Sequence, residues 1–116
     1  MDYINKVELQ GTIGRVSTTN IADKLCTRLS MATNHCYKDR YGNAVIETTW
    51  HNVVAFSGEN TKDAESLKKG DSVHVTGRIR TYRYESETGE PKIMTEIFAN
   101  EVRIIEKEPF VINPEK

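Results

Sequence analysis

Apolar and polar residues alternate along most of this chain, which is the pattern of β-strands with one buried face. In the first such stretch Val7, Leu9 and Ile13 share one parity, and polar side chains occupy the other. In the fourth stretch the odd positions from Val73 to Ile79 are predicted to point inward. The predicted strands cover residues 5–14, 25–37, 45–56, 72–84 and 93–105.

Three features depart from simple alternation. Gly11 and Gly14 lie in or at the end of the first strand, where glycine permits a bulge or a sharp bend. The third strand is apolar on both parities, so it is either sandwiched or uses one face for binding. Residues 60–69 are a helical candidate in which Asn60 caps and Ala64 and Leu67 can pack. We expect this short helix to close one end of a barrel.

The order of elements is three strands, a short helix and two strands. Among small all-β folds this order favours a five-stranded Greek-key OB-fold barrel. A length of 116 residues fits one domain. We expect residues 1–105 to form it and residues 106–116 to be a short, flexible C-terminal extension. No stretch has the ~18 consecutive apolar residues of a membrane span, and no signal sequence is evident, so a cytoplasmic location is expected.

The reactive side chains do not form a recognisable catalytic or metal-binding pattern. Cys26 and Cys36 are predicted to be reduced thiols, because ten steps along one strand would separate them by roughly 33 Å. The three histidines lie in unrelated segments, without a neighbouring nucleophile or a set of metal ligands. The sequence therefore predicts no enzyme activity, no metal and no cofactor.

The formal net charge of −1 hides an uneven distribution. Residues 68–84 hold five basic and one acidic residue, a net charge of +4, whereas residues 85–116 hold four basic and eight acidic residues, a net charge of −4. In the basic stretch Arg78 and Arg80 share a strand face with Tyr82 and Tyr84, and Arg83 lies between these tyrosines. Cations that neutralise phosphates and rings that stack on unpaired bases suit single-stranded nucleic acid. Arginine and tyrosine are also ordinary on an exposed strand face, so this pattern alone leaves both interpretations open.

The other aromatic residues are ambiguous when each is taken alone. Trp50 and Phe56 lie six residues apart on one face of the third strand, where they could equally belong to the core. Tyr37 and Tyr41 lie near a loop, a position where aromatic residues are often incidental.

Six blocks along residues 4–104 resemble the bacterial single-stranded DNA-binding protein family, in the order and with the gaps of that family. The first block is Asn5-Lys6-Val7 with Leu9, Gly11 and Gly14, and the others cover residues 29–33, 49–56, 69–73, 77–81 and 95–97. The resemblance implies an OB fold, commonly assembled as a homotetramer, that binds single-stranded DNA without sequence preference during replication, recombination and repair.

The resemblance also implies roles for individual residues. The base-stacking positions of the family fall on Tyr37, Trp50, Phe56 and Tyr84. Its phosphate-contacting positions fall on Lys6, Lys69, Arg80 and Arg83, to which the charge pattern adds Arg78. His51 matches a histidine associated with the subunit interface. Asn52 and Tyr82 depart from the family, which often has a basic residue at these two places.

Residues 108–116 contain neither the Gly/Pro/Gln-rich tail nor the acidic tip by which the family recruits replication and repair proteins. On these residues we expect a short form without such a tip, either of a phage or mobile element or of a primosomal relative. Two rival functions stay open: an OB-fold module that docks on a replication or repair protein, and a single-stranded RNA binder.

Overall fold

The structure is a computed structural model that describes residues 2–106. Within these residues five strands form one closed barrel, through both antiparallel and parallel pairings. The strands are β1 (Val7–Ile21), β2 (Lys24–Lys38), β3 (Ala44–Phe56), β4 (Ser72–Glu85) and β5 (Pro91–Glu106). Around the barrel their order is β1-β2-β3-β5-β4, and β4 pairs with β1 to close it. This confirms the predicted all-β barrel of five strands. The predicted extension over residues 106–116 lies, apart from Glu106, outside the described residues.

The core lies inside the barrel, and in β4 it contains Val73 and Val75 of the parity predicted to face inward. Ile13, Met31, Val53, Val75 and Val102 are among its fully buried side chains. The register between β1 and β2 shifts between Ile13 and Arg15, which confirms the predicted irregularity at Gly14. Such a bulge bends the strand and increases its twist, as closure of a small barrel requires.

The predicted short helix between β3 and β4 is confirmed, but its bounds differ from the predicted 60–69. A short 3₁₀ helix runs over Glu59–Ser66, and Thr61 inside it has non-helical backbone angles. The Thr61 hydroxyl donates to the Phe56 carbonyl at 2.6 Å, which competes with regular helical pairing. The cap position is Gly58, without a side-chain cap, rather than Asn60. Ala64 and Leu67 are nevertheless buried in the core, as predicted.

Two ribbons extend from the barrel, because β2 with β3 and β4 with β5 continue to pair beyond it. The first pairs 34–38 with 44–48, and the second pairs 80–85 with 91–96. Ile79 was predicted to be buried but is 47% exposed. Pairing between β1 and β4 ends at Val7 and Gly77, so β1 no longer covers the inner face of β4 at Ile79.

Candidate nucleic-acid interface

One exposed tryptophan lies on the outer face of β3. Trp50 pairs across the sheet with Ala32 and is 61% exposed, whereas Val53 on the opposite parity is buried in the core. The indole lies against Gly14, where an added Cβ would come within 2.5 Å of Cζ3 and 2.8 Å of Cη2. A ring supported from below by backbone and open to solvent above is available for stacking.

Two phenylalanines continue this surface from β3 to β5. The short parallel pairing of the two strands sets Phe98 opposite Val54, on the outer face. Its ring centroid lies 5.7 Å from that of Phe56. The guanidinium carbons of Arg78 and Arg80 lie 5.0 and 4.8 Å from the Phe98 centroid, within the range of cation–π contacts. We call the surface formed by Trp50, Phe56, Phe98, Arg78 and Arg80 the aromatic face.

A buried carboxylate lies beneath the aromatic face. Arg80 Nη2 donates to Glu96 Oε1 at 2.6 Å, and Arg28 Nη1 donates to Glu96 Oε2 at 3.2 Å. The Glu96 side chain is fully buried, while the two arginines are partly exposed. Arg80 Nε is also buried and has no hydrogen-bond partner among residues 2–106. Glu96 thus compensates one of the two positive charges that it contacts.

Two clefts open beside the aromatic face. The first has a volume of ≈ 440 Å³, and Trp50, Asn52, Arg28 and Met94 are among the residues that line it. It combines an aromatic wall with amide and guanidinium groups, so it offers stacking and hydrogen bonds together. The second has a volume of ≈ 360 Å³, and its lining residues are Asn5, Lys6, Thr76, Gly77, Arg78, Phe98 and Asn100. This cleft brings Lys6, a predicted phosphate contact, beside Arg78 and Phe98.

The other predicted stacking residues lie outside the aromatic face. Tyr37 pairs with Val45 on the opposite face of its ribbon and stacks on His35 with ring centroids 5.9 Å apart. Tyr84 lies on the second ribbon, 47% exposed, with its ring centroid 6.2 Å from that of Tyr82. Arg80 also contacts Tyr82, at 5.6 Å, which connects the aromatic face to this second ribbon.

Two predicted cations are set apart from Arg78 and Arg80. Arg83 lies on the face of β4 opposite to Arg78 and Arg80, and it pairs with Ile93. Lys69 is exposed in the segment before β4. It precedes Gly70, whose N–H donates to the Ile13 carbonyl at 2.9 Å. Lys69 is therefore close in the fold to Gly14, the residue beneath Trp50.

His51, predicted at a subunit interface, points away from Trp50. It is half-buried and pairs with Met31 across the sheet. Its Nε2 lies 2.9 Å from the Thr33 hydroxyl, and the two groups share a hydrogen bond. No partner chain is present, so the interface role of His51 stays a prediction.

The turn at the end of the first ribbon is held by Asp39. Its carboxylate accepts hydrogen bonds from the backbone N–H groups of Asn43 and Tyr41, both at 2.9 Å. These bonds, that of Asn43 first, lower the pKa of Asp39 because they stabilise the charged form.

Within residues 2–106, no three His, Cys, Asp or Glu side chains are grouped so that they could hold a metal ion. None of the helices there is long and apolar enough to cross a membrane. Cys26, which is buried, and Cys36, which is exposed, are both free thiols.

Sequence reasoning missed three residues of this region: Arg28, Glu96 and Phe98. A signal for two of them was present, since Met94, Glu96 and Phe98 share one parity of β5. The register of β4 against β5 sets Arg80 opposite Glu96 and Arg78 opposite Phe98. Only this register shows that the residues of this parity lie beside the arginines.

A comparison with family models decides the relationship of this chain. The model of the single-strand binding protein family matches residues 4–105. The chain belongs to the single-strand binding protein family. This confirms the resemblance found in the sequence.

Individual relatives agree with this assignment. A single-stranded DNA-binding protein of Xanthomonas campestris pv. campestris is 39% identical over 104 residues, which are 88% of this chain and 60% of the relative. One of Neisseria meningitidis is 32% identical over 105 residues, with coverages of 88% and 60%. This chain thus spans about 60% of the length of these two relatives.

The fold is also similar to solved structures of the family. The Plasmodium falciparum SSB in complex with ssDNA superposes with a TM-score of 0.77 and 26% sequence identity, covering 91% of this chain and 97% of that one. A small single-stranded DNA-binding protein from Streptomyces coelicolor superposes with a TM-score of 0.66 at 23% identity, covering 90% and 95%. The predicted OB fold is therefore confirmed.

Proposed function

We propose that this protein binds single-stranded DNA without base preference, by stacking bases on aromatic rings and neutralising phosphates with cations. The observation that carries the proposal is the aromatic face, where an exposed tryptophan shares one face of β3 with Phe56, and the Phe56 ring lies beside Phe98 and its two arginines. Family membership and the names of the relatives, which are single-stranded DNA-binding proteins, support the same conclusion.

Stacking is proposed to begin on Trp50 and Phe56 and to continue on the ribbons at Tyr37 and Tyr84. Each base stacked on an aromatic side chain contributes about 1–3 kcal/mol and is accepted whatever its identity, since every base has a π-face. The second ribbon continues the aromatic face through Arg80 and Tyr82 to Tyr84. Tyr37 lies on the opposite face of the first ribbon, so a strand would have to pass around the edge of that ribbon to stack on it.

Phosphate neutralisation is assigned to the five predicted cations. The proposed contacts are Lys6, Lys69, Arg78, Arg80 and Arg83. Arg78 has no carboxylate within ion-pair distance among the described residues, so its charge is free for a phosphate. Arg80 shares its charge with Glu96. Each phosphate contact on a single strand adds about 0.7 to the slope of log affinity against log salt concentration.

In the cell we propose a non-enzymatic role, the protection of exposed DNA strands during replication, recombination and repair. Assembly as a homo-oligomer, a homotetramer by family resemblance, would set several aromatic faces along one strand. The proposed location is the cytoplasm, at the nucleoid, which suits the two free thiols because thiols stay reduced there. Replication and repair proteins are proposed as further partners by family resemblance alone, since residues 108–116 hold no acidic tip to recruit them.

Equilibrium binding of fluorescently labelled oligo-dT, followed by anisotropy over a range of salt concentrations, tests this function. We expect tight binding at low salt that weakens steeply as salt rises, and competition by unlabelled oligo-dA and oligo-dC. Preference for a matched RNA oligomer would make the protein an RNA binder. Absence of binding at low salt would refute the proposal and favour a protein-docking module, whose apolar contacts respond weakly to salt.

A further inference from the structure

Glu96 places a negative charge beneath a surface that is proposed to bind DNA, which is itself negatively charged. Its side chain has no solvent exposure, and both of its oxygens are occupied, Oε1 by Arg80 at 2.6 Å and Oε2 by Arg28 at 3.2 Å. Burying a carboxylate has a large desolvation cost, and its ion pairs often only just recover that cost. Net stability is therefore a weak reason for a glutamate at this position.

The arrangement has two consequences for the arginines. First, it fixes their positions, because Arg80 is held by Glu96 while it covers the Phe98 ring at 4.8 Å. Second, it removes charge, because Arg28, Glu96 and Arg80 together carry +1 whereas the two arginines alone would carry +2. The exposed fractions of the Arg28 and Arg80 side chains are 49% and 37%, so both are open to a bound strand.

We propose that Glu96 is a positioning residue that limits the affinity of this surface for DNA. It holds Arg28 and Arg80 beside the aromatic rings, and it cancels one of their two charges so that the pair neutralises one phosphate instead of two. Stacking then carries a larger share of the binding free energy. This inference rests on the proposed function and concerns how strongly the same site binds.

The variant Glu96→Gln keeps the size and one acceptor oxygen of the side chain but removes its charge. We expect its salt slope to be steeper than that of the unmodified protein by about 0.7, the contribution of one added phosphate contact. If the variant and the unmodified protein bind oligo-dT equally near 1 M salt, the variant binds it about 8-fold more tightly at 50 mM salt. A merely structural role for Glu96 predicts the opposite, weaker binding with an unchanged or shallower slope, and that result would overturn the inference.

Glu101→Gln is the matched control. Glu101 lies on the same strand and also pairs with an arginine, Arg103, at 2.6 Å. Its replacement changes the net charge of the protein by the same amount. We expect its salt slope to match that of the unmodified protein, so an equal steepening in both variants would show a general charge effect and overturn the inference.

A second variant keeps the test decisive if Glu96→Gln alone unfolds. In Arg80→Gln/Glu96→Gln both ionic partners become amides, a double replacement that proteins tolerate better than the loss of one partner. Arg28 then supplies the same +1, so we expect the salt slope of the unmodified protein. A slope shallower by about 0.7 would mean that Arg28 does not neutralise a phosphate when Arg80 and Glu96 are both uncharged, so the two arginines would not share one contact, and the inference would be overturned. Failure of the unmodified protein to bind oligo-dT would instead refute the proposed function itself.

Discussion

Replacing Gly14 by alanine would displace the Trp50 indole without removing it. The added Cβ would lie 2.5 Å from Cζ3 and 2.8 Å from Cη2, whereas ordinary van der Waals contacts start at 3.4 Å. The ring must therefore shift by about 0.9 Å, the difference between 3.4 and 2.5 Å. Because Trp50 is 61% exposed, it can move toward solvent rather than force the barrel apart.

Two effects on folding nearly cancel in this variant. Holding a side chain off its preferred rotamer costs about 0.5–1.5 kcal/mol. Replacing glycine by alanine where the backbone angles allow it stabilises a protein by about 0.4–1 kcal/mol, through the entropy of the unfolded chain. Gly14 does not have the positive φ that would exclude alanine. We therefore expect the free energy of unfolding to change by less than about 1 kcal/mol.

Binding should be affected more than folding. Trp50→Ala sets the upper limit, a loss of about 1–3 kcal/mol for one stacked base. Gly14→Ala tilts the ring, and we expect about half that loss, about 0.5–1.5 kcal/mol, or roughly a 2- to 12-fold higher Kd. The assay is the anisotropy of labelled oligo-dT, with thermal unfolding of each variant measured alongside.

The control for this experiment is Gly58→Ala. A Cβ there would meet its nearest neighbour, Thr61 Oγ1, at an ordinary 3.6 Å, so binding should stay unchanged and the free energy of unfolding should change by no more than about 1 kcal/mol. If Gly14→Ala binds oligo-dT as tightly as the unmodified protein while Trp50→Ala does not, the supported position of the indole has no role. If both variants bind normally, stacking on Trp50 is refuted.

Three further predictions concern charge, ring contacts and pH. Arg78→Gln should lower the salt slope by about 0.7, whereas Arg103→Gln, which removes an arginine that is not a proposed phosphate contact and is paired with Glu101, should leave it unchanged. Phe98→Leu keeps an apolar side chain but loses the cation–π contacts, and should weaken oligo-dT binding by about 1 kcal/mol in the same assay. The lowered pKa of Asp39 means that its carboxylate stabilises the fold above about pH 4, its ordinary value, and that this contribution is lost as pH falls through the lower folded value. The Tm difference between the unmodified protein and Asp39→Ala should therefore be full at pH 6 and shrink toward pH 3; a difference independent of pH would contradict this.

Much of the barrel could be predicted from sequence because its strands alternate cleanly. The inward parity of Val73 and Val75 is a local property of the chain, and so is the irregularity at Gly14. Ile79 shows the limit of this approach. Its parity is correct, but its burial depends on where β1 ends, which is a property of the pairing between two distant segments.

The candidate site likewise combines residues that local sequence predicts with residues that depend on the pairing of distant strands. Local alternation predicts that Trp50 and Phe56 share a strand face, but only the structure shows that the tryptophan is exposed. Glu96 could not be identified, because its burial and its two arginine partners depend on the meeting of β2, β4 and β5. Tyr37 was predicted from the family motif, while the register of its ribbon sets it on the face opposite to Trp50.

The central claim, that bases stack on the aromatic face, is tested most directly by the fluorescence of Trp50. The chain contains one tryptophan, so its emission reports on this position alone. We expect oligo-dT at low salt to quench the emission in a saturable titration, and added salt to reverse the quenching as the strand dissociates. Binding of labelled oligo-dT without any change in Trp50 emission would contradict the account, because the DNA would then be held away from the indole.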